Sequence, residues 1–369
     1  MFIRRAVFAW GIPRESATAT MNTTSKATTM TVPVGLQTVY FGHMESTAEI
    51  SEAAANTALG KKLLAGDGIP AAPQRGAALI ADAAAKGDGE AAALVAVLIG
   101  LGAQSRADWT RALEYLQQAA ESGWIPAQQQ LTVLGSATLT GEAQGPTPPA
   151  HVWGKLRRSI DLPAWWRLPE ICPVIAAPRI ELRDSFLPPR ICSWLTERAR
   201  SRLERSRVFA AGGTGEIDKA RTNSAFEFDL LSLDVVLLLT RARIAAAAGF
   251  APHALEHTNI LHYSAGQQFN RHFDFLDPGL PGHAQEIASK GQRVGTFLIY
   301  LNEDYTGAET DFALLNQRFR CPTGGALFFL NVDPSAAPDR RTLHAGLAPG
   351  SGEKWLLSQW IRGRPLGSS

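Results

Sequence analysis

The pair His272-x-Asp274, followed much later by His344 and then by Lys354, constrains the fold of this chain more than any other feature. Residues two apart on a strand point to the same face, so His272 and Asp274 converge only if their segment is extended. His344 joins them only if the chain folds back in a sheet or barrel. Two imidazoles and one carboxylate on one side of a metal are the donor set of a non-haem iron centre, with three coordination positions left open. Residues 341–347 read as a strand that ends in Ala348-Pro349-Gly350-Ser351-Gly352, a turn by composition, and the chain returns through 354–361. That hairpin predicts Lys354 on the strand beside His344, with Lys354, Leu356, Ser358 and Trp360 sharing one face. An ammonium group pointing into a barrel is costly unless it meets an anion. The far carboxylate of 2-oxoglutarate would supply one, with its keto-acid end chelating iron at two open positions and O2 taking the third.

Composition excludes several alternatives. The chain has 369 residues, a formal charge of +2 and 19% charged residues, so no strong field points to a nucleic acid or an anionic membrane. No apolar run reaches transmembrane length; the longest, near Val235 to Leu239, is broken by Thr240 and Arg241. Cys172, Cys192 and Cys321 are too few for a disulfide framework, which favours a reducing compartment. A soluble, cytoplasmic protein is therefore expected.

Four regions are expected. Residues 1–47 are Arg- and Ser/Thr-rich with little periodicity and are expected to be a disordered tail, a transit peptide being the alternative reading. From 48 to 135 the chain repeats: Ala83-Ala84-Ala85-Lys86-Gly87 falls on Ala119-Ala120-Glu121-Ser122-Gly123, Arg75 on Arg111 and Ile80 on Leu116. Such a period, rich in alanine at helical spacing with glycine at the turns, predicts paired helices of a short solenoid. Residues 136–177, with Gly, Pro and three tryptophans, read as a linker that partly packs on its neighbour. From 178 to 369, helices over 189–203 and 230–248 precede strands at 256–263, 268–275, 293–301, 317–320, 325–331, 341–347 and 354–361. The fold class is α+β: a double-stranded β-helix, or jelly roll, with flanking helices, behind a short α-helical repeat domain.

The segments Tyr263–Asp274, Arg293-x-x-Thr296-x-x-x-Tyr300-Leu301-Asn302, Gly307-Ala308-Glu309-Thr310, Gly325–Phe329 and His344–Arg362 resemble the prolyl 4-hydroxylase branch of the Fe(II)/2-oxoglutarate dioxygenases. The likeness extends upstream to Arg221-Thr222-Asn223. It implies that His272, Asp274 and His344 bind Fe(II), that Lys354 binds the distal carboxylate of 2-oxoglutarate, and that the hydroxyls of Tyr263 and Thr296 touch the same co-substrate. It further implies that Trp360 lines the substrate pocket, that Arg221 sits behind a mobile lid at 210–220, that O2 is the oxidant and that ascorbate is a reductant. The expected substrate is a prolyl residue of a peptide or protein, with a free amino acid or small molecule as the alternative. Ala308 stands where the family usually has a second glycine, and Phe269 where it often has tyrosine. The segment 58–123 similarly resembles Sel-like, tetratricopeptide-type repeats, which implies a protein partner. A repeat-mediated scaffold with an idle oxygenase domain is the reading from another class, and the intact ligand set argues against it.

His253-x-x-Glu256-His257 also fits an inverted zinc-protease pattern. That pattern needs a helix, whereas Gly249 and Pro252 end the preceding one, so these residues are expected to bind no metal.

Overall fold

A computed structural model describes residues 38–103, 106–135, 149–206, 208–209, 215–216 and 221–363. Most of the expected tail and lid lies outside the described residues. The chain divides into two compact units after Gln128.

Helices Thr38–Ala65, Pro73–Ala85, Gly89–Gly100, Trp109–Glu121 and Ile125–Leu134 fill the first stretch. Alanine makes their close packing possible. Ala83, Ala84, Ala91, Ala92, Ala119 and Ala120 are essentially buried, and a Cβ on either Gly60 or Gly76 would lie 2.8 Å from the other's carbonyl oxygen. Asp88 and Asp108 cap the third and fourth helices by accepting from the amides of Ala91 and Arg111. No helix among the described residues is long and apolar enough to cross a membrane.

The second unit mixes helix and sheet. Its larger, antiparallel sheet runs Cys172–Ile175, Ile180–Arg183, Ala326–Leu330, Arg293–Tyr300, Lys354–Arg362, Asn259–Tyr263, Ser224–Glu227 and Glu204–Arg205. A smaller one runs Gln317–Phe319, Thr310–Phe312, His344–Gly346 and Phe269–His272. Side chains from both sheets meet in one core, with Leu261, Leu298, Tyr300, Leu327, Phe329 and Leu356 facing Phe312 and Phe319. The helices Pro189–Arg200 and Val235–Ala248 occur where periodicity placed them, the second capped by Asp234 and ended by left-handed Gly249.

Three expectations need correction. The stretch read as a linker carries regular structure among its described residues: helices Ala150–Arg158 and Leu162–Trp166 and an edge strand belong to it, while the packing expected of its tryptophans is present, with Trp153 buried and Trp165 donating to the Leu239 carbonyl. The helix Pro281–Lys290 was not foreseen, because it buries no residue and so carries no apolar stripe. The predicted hairpin between His344 and Lys354 does not form. Pro349–Gly352 is instead a strand paired with Tyr305–Gly307. The chain then passes to the larger sheet at Gly352, whose φ is +75° and where a Cβ would collide with the Asp304 carbonyl oxygen at 2.3 Å.

Candidate active site

A cavity opens between the two sheets. His272, Asp274, His344, Lys354, Tyr263, Trp360 and Arg221 all line it. Thr296 does not.

The ligand set is built by strand register. His344 and His272 are direct partners across the antiparallel pair of the smaller sheet, with ring centroids 4.3 Å apart. Asp274 follows two residues past the strand end, with Oδ1 3.6 Å from His272 Nε2 and Oδ2 3.6 Å from His344 Nε2. One ligand atom from each of the three lies within 4.8 Å of the others, and this is the one such cluster found among the described residues. Each histidine donates its Nδ1–H to a backbone carbonyl two residues earlier, His272 to Asn270 at 2.8 Å and His344 to Thr342 at 3.0 Å. Those bonds fix the tautomer and leave both Nε2 lone pairs free for a metal.

Electrostatics agree with that role. Burial, with His344 alongside, pushes His272 down to about 3, so its imidazole is neutral near pH 7. Burial alone would raise the Asp274 carboxyl, but His344, His272 and a hydrogen bond from Thr296 outweigh it and hold the group ionised below its usual range. Imidazole nitrogens and a carboxylate are donors that suit Fe(II).

Lys354 projects from the opposite sheet and is 1% exposed. Its Nζ donates to the Ala308 carbonyl at 2.7 Å and lies 5.1 Å from the Tyr300 ring centroid. No ion pair to Lys354 is found among the described residues. Burial pushes its pKa down to about 7, with Glu309 pulling weakly the other way. A buried ammonium with donors to spare fits the carboxylate of a diacid. Tyr263 stands directly across from Lys354 in the sheet, and burial raises its phenol to about 12, which keeps the hydroxyl a donor.

The other expected residues take definite places. Thr296 donates its hydroxyl proton to Asp274 Oδ2 at 2.7 Å. Trp360 presents its indole to the cavity, with the Arg293 guanidinium 3.7 Å from the ring centroid. Arg221 is buried, donates to Asn223 Oδ1 and lies 4.6 Å from the Phe269 centroid. Phe269 in turn stacks on His272 at 3.5 Å. Ala308 adopts a left-handed φ of 58° and its carbonyl serves Lys354. Glu256 and His257 bind no common partner: Glu256 pairs with Arg293 and Arg362, and His257 with Glu227. Sequence reasoning missed Asn259 and Thr310 in the cavity wall, Arg293 behind Trp360, and Asn331 behind Thr296. Arg293 and Thr310 fall within the segments that carry the family resemblance, but nothing in local sequence gave them or the two asparagines a role.

Residues 258–362 match the 2OG-Fe(II) oxygenase superfamily. The chain is 29% identical over 205 residues to probable prolyl 4-hydroxylase 7 of Arabidopsis thaliana, covering 50% of this chain and 62% of the relative. It is 30% identical over 212 residues to probable prolyl 4-hydroxylase 6 of the same plant, covering 52% and 71%. To the human prolyl 4-hydroxylase subunit alpha-3 it is 30% identical over 187 residues, covering 50% of this chain but 34% of that one. Among solved structures, the viral collagen prolyl hydroxylase of Paramecium Bursaria Chlorella virus-1 with 2OG shares 26% identity at a TM-score of 0.39, over 50% of this chain and 96% of that one. The chain thus spans between about a third and about two thirds of the curated relatives it matches. With the His-Asp-His cluster and the buried lysine on one cavity, the chain belongs to the prolyl 4-hydroxylase family of the 2OG-Fe(II) oxygenases.

Proposed function

We propose that this protein is an Fe(II)- and 2-oxoglutarate-dependent dioxygenase that hydroxylates a prolyl residue of a peptide or protein. One observation carries the reading: three metal-ligand atoms and a buried lysine without an ion-pair partner among the described residues line a single cavity. His272, Asp274 and His344 would hold the iron. Lys354, with Tyr263 across from it, would hold the distal carboxylate of 2-oxoglutarate. When bound, iron, 2-oxoglutarate and O2 together supply the oxidation that places one oxygen on a C–H carbon, with succinate and CO2 as co-products, and ascorbate serves as reductant. The chain's own contribution is positioning: Nδ1 bonds that aim two imidazoles, an aromatic wall of Phe269 and Trp360 that excludes water, and Arg221 as a donor at the substrate side.

The repeat reading is proposed alongside it. Helices Pro73–Ala85 and Trp109–Glu121 start and end at the same offset along the chain, and the helices that follow begin at Gly89 and Ile125 with that offset again. This supports a pair of Sel-like repeats, whose role would be to recruit a protein partner.

The test is direct. With Fe(II) and O2 the purified protein should convert 2-oxoglutarate to succinate, and His272→Ala should abolish conversion; turnover that survives the substitution overturns the metal assignment. Mass spectrometry of incubated peptides should find one added oxygen on proline, and modification confined to free amino acids would favour the small-molecule alternative.

A further inference from the structure

Asn331 lies at the end of the strand Ala326–Leu330, touches neither the cavity nor any metal ligand, and is fully buried. Its Nδ2 donates to Thr296 Oγ1 at 3.0 Å, and Thr296 donates to Asp274 Oδ2 at 2.7 Å. Chemistry fixes these directions. An ionised carboxylate only accepts, so the threonine proton goes to Asp274, and Asn331 must offer its NH2 to a lone pair of the hydroxyl oxygen. The bond from Asn331 favours the rotamer that points the Thr296 hydroxyl at the carboxylate.

The main chain of Asn331 leads to a second ligand. Its carbonyl accepts from the Asp339 amide at 2.9 Å, and its amide donates to Val294 O. The Asp339 carbonyl accepts from both the amide and the hydroxyl of Thr342, at 3.1 and 2.7 Å. The Thr342 carbonyl accepts His344 Nδ1–H. A continuous hydrogen-bonded path therefore runs from Asp274 through Thr296, Asn331, Asp339 and Thr342 to His344, and every residue on it is at most 6% exposed. No hydrogen bond to the Oδ1 of Asn331 is found among the described residues.

We infer that Asn331 is a positioning residue of the metal centre, its side chain setting the Asp274 carboxylate through Thr296 and its main chain anchoring the turn that presents His344. The inference rests on the metal-centre reading above. Groups that orient metal ligands in this way commonly change metal affinity by about 10- to 100-fold when removed.

The experiment is a titration of the full chain with Co(II) alone, read by the d–d absorption spectrum and by competition with a chelator. Asn331→Asp keeps the shape but replaces the NH2 donor with an acceptor that competes for the Thr296 proton. It should weaken Co(II) binding about 10- to 100-fold and shift the spectrum. Thr296→Val should do the same, Thr296→Ser should restore wild-type behaviour, and the combined Asn331→Asp/Thr296→Val variant should lose little beyond either alone. Wild-type affinity and spectrum in Asn331→Asp, or in Thr296→Val should the first variant not fold, overturns the inference. His344→Ala is the control for the underlying reading: if it too binds Co(II) like wild type, the metal centre itself is misassigned.

Discussion

Lys354 shows how one residue can carry a testable electrostatic consequence. Its ammonium is buried against a carbonyl and two aromatic rings, and burial lowers its pKa to about 7. A lysine whose folded pKa is depressed weighs against the fold below about pH 7, where both states are charged, and that penalty fades as pH rises toward the ordinary lysine value. A dicarboxylate seated on Lys354 would draw the pKa back up. Binding of 2-oxoglutarate near pH 8 should then take up close to one proton, and affinity should fall as pH rises from about 7. Calorimetry in two buffers of different ionisation enthalpy checks this; heats that do not depend on the buffer would remove Lys354 from the anion site. The residue itself was legible in the sequence because the face it shares with Trp360 is a property of one strand, although the hairpin expected to set it beside His344 does not form. Asn331 was not legible, since its role depends on contacts with residues distant in sequence.

At the scale of elements, a buried ion cluster ties two central strands to a helix. Glu256 bonds Arg293 on one strand and Arg362 on its neighbour, while Arg362 also reaches Glu286 on the helix Pro281–Lys290. Burial acts to raise the Glu256 carboxyl, but Arg293 and Arg362 outweigh it and take it down to about 2. The sign follows: this contribution is complete above the ordinary glutamate value and is lost as pH falls from about 4.5 toward 2. Glu256→Gln would leave two buried guanidinium groups without their shared carboxylate and should cost about 3–5 kcal/mol, measured by urea unfolding at neutral pH. The difference from wild type should shrink on acidification. The same helix shows where sequence reasoning ran out. The helices Pro189–Arg200 and Val235–Ala248, rich in buried apolar residues, were found, and a helix held mainly by polar and ionic contacts was not. Pro349-Gly350-Ser351-Gly352 misled for a related reason: pairing with Tyr305–Gly307 uses backbone groups, which turn-type residues also possess.

Across the whole molecule, sequence periodicity marked a helical first part and a later part of mixed helix and sheet, and the ligand set was readable before any topology was known. The relation between the sheets was not, because composition does not reveal to which sheet a strand belongs. That relation has a further consequence. His272 and His344 sit on paired strands of the smaller sheet, with Asp274 just past the end of one, and Lys354 sits on a paired strand of the larger, so the gap between these anchors is set mainly by sheet packing. On the proposed function, the cavity would act as a ruler for a diacid. Keto-diacids one carbon shorter or longer than 2-oxoglutarate should compete about 10- to 200-fold less well in a succinate-release assay. Equal competition by either would mean that the two sheets slide, and that the gauge is elastic.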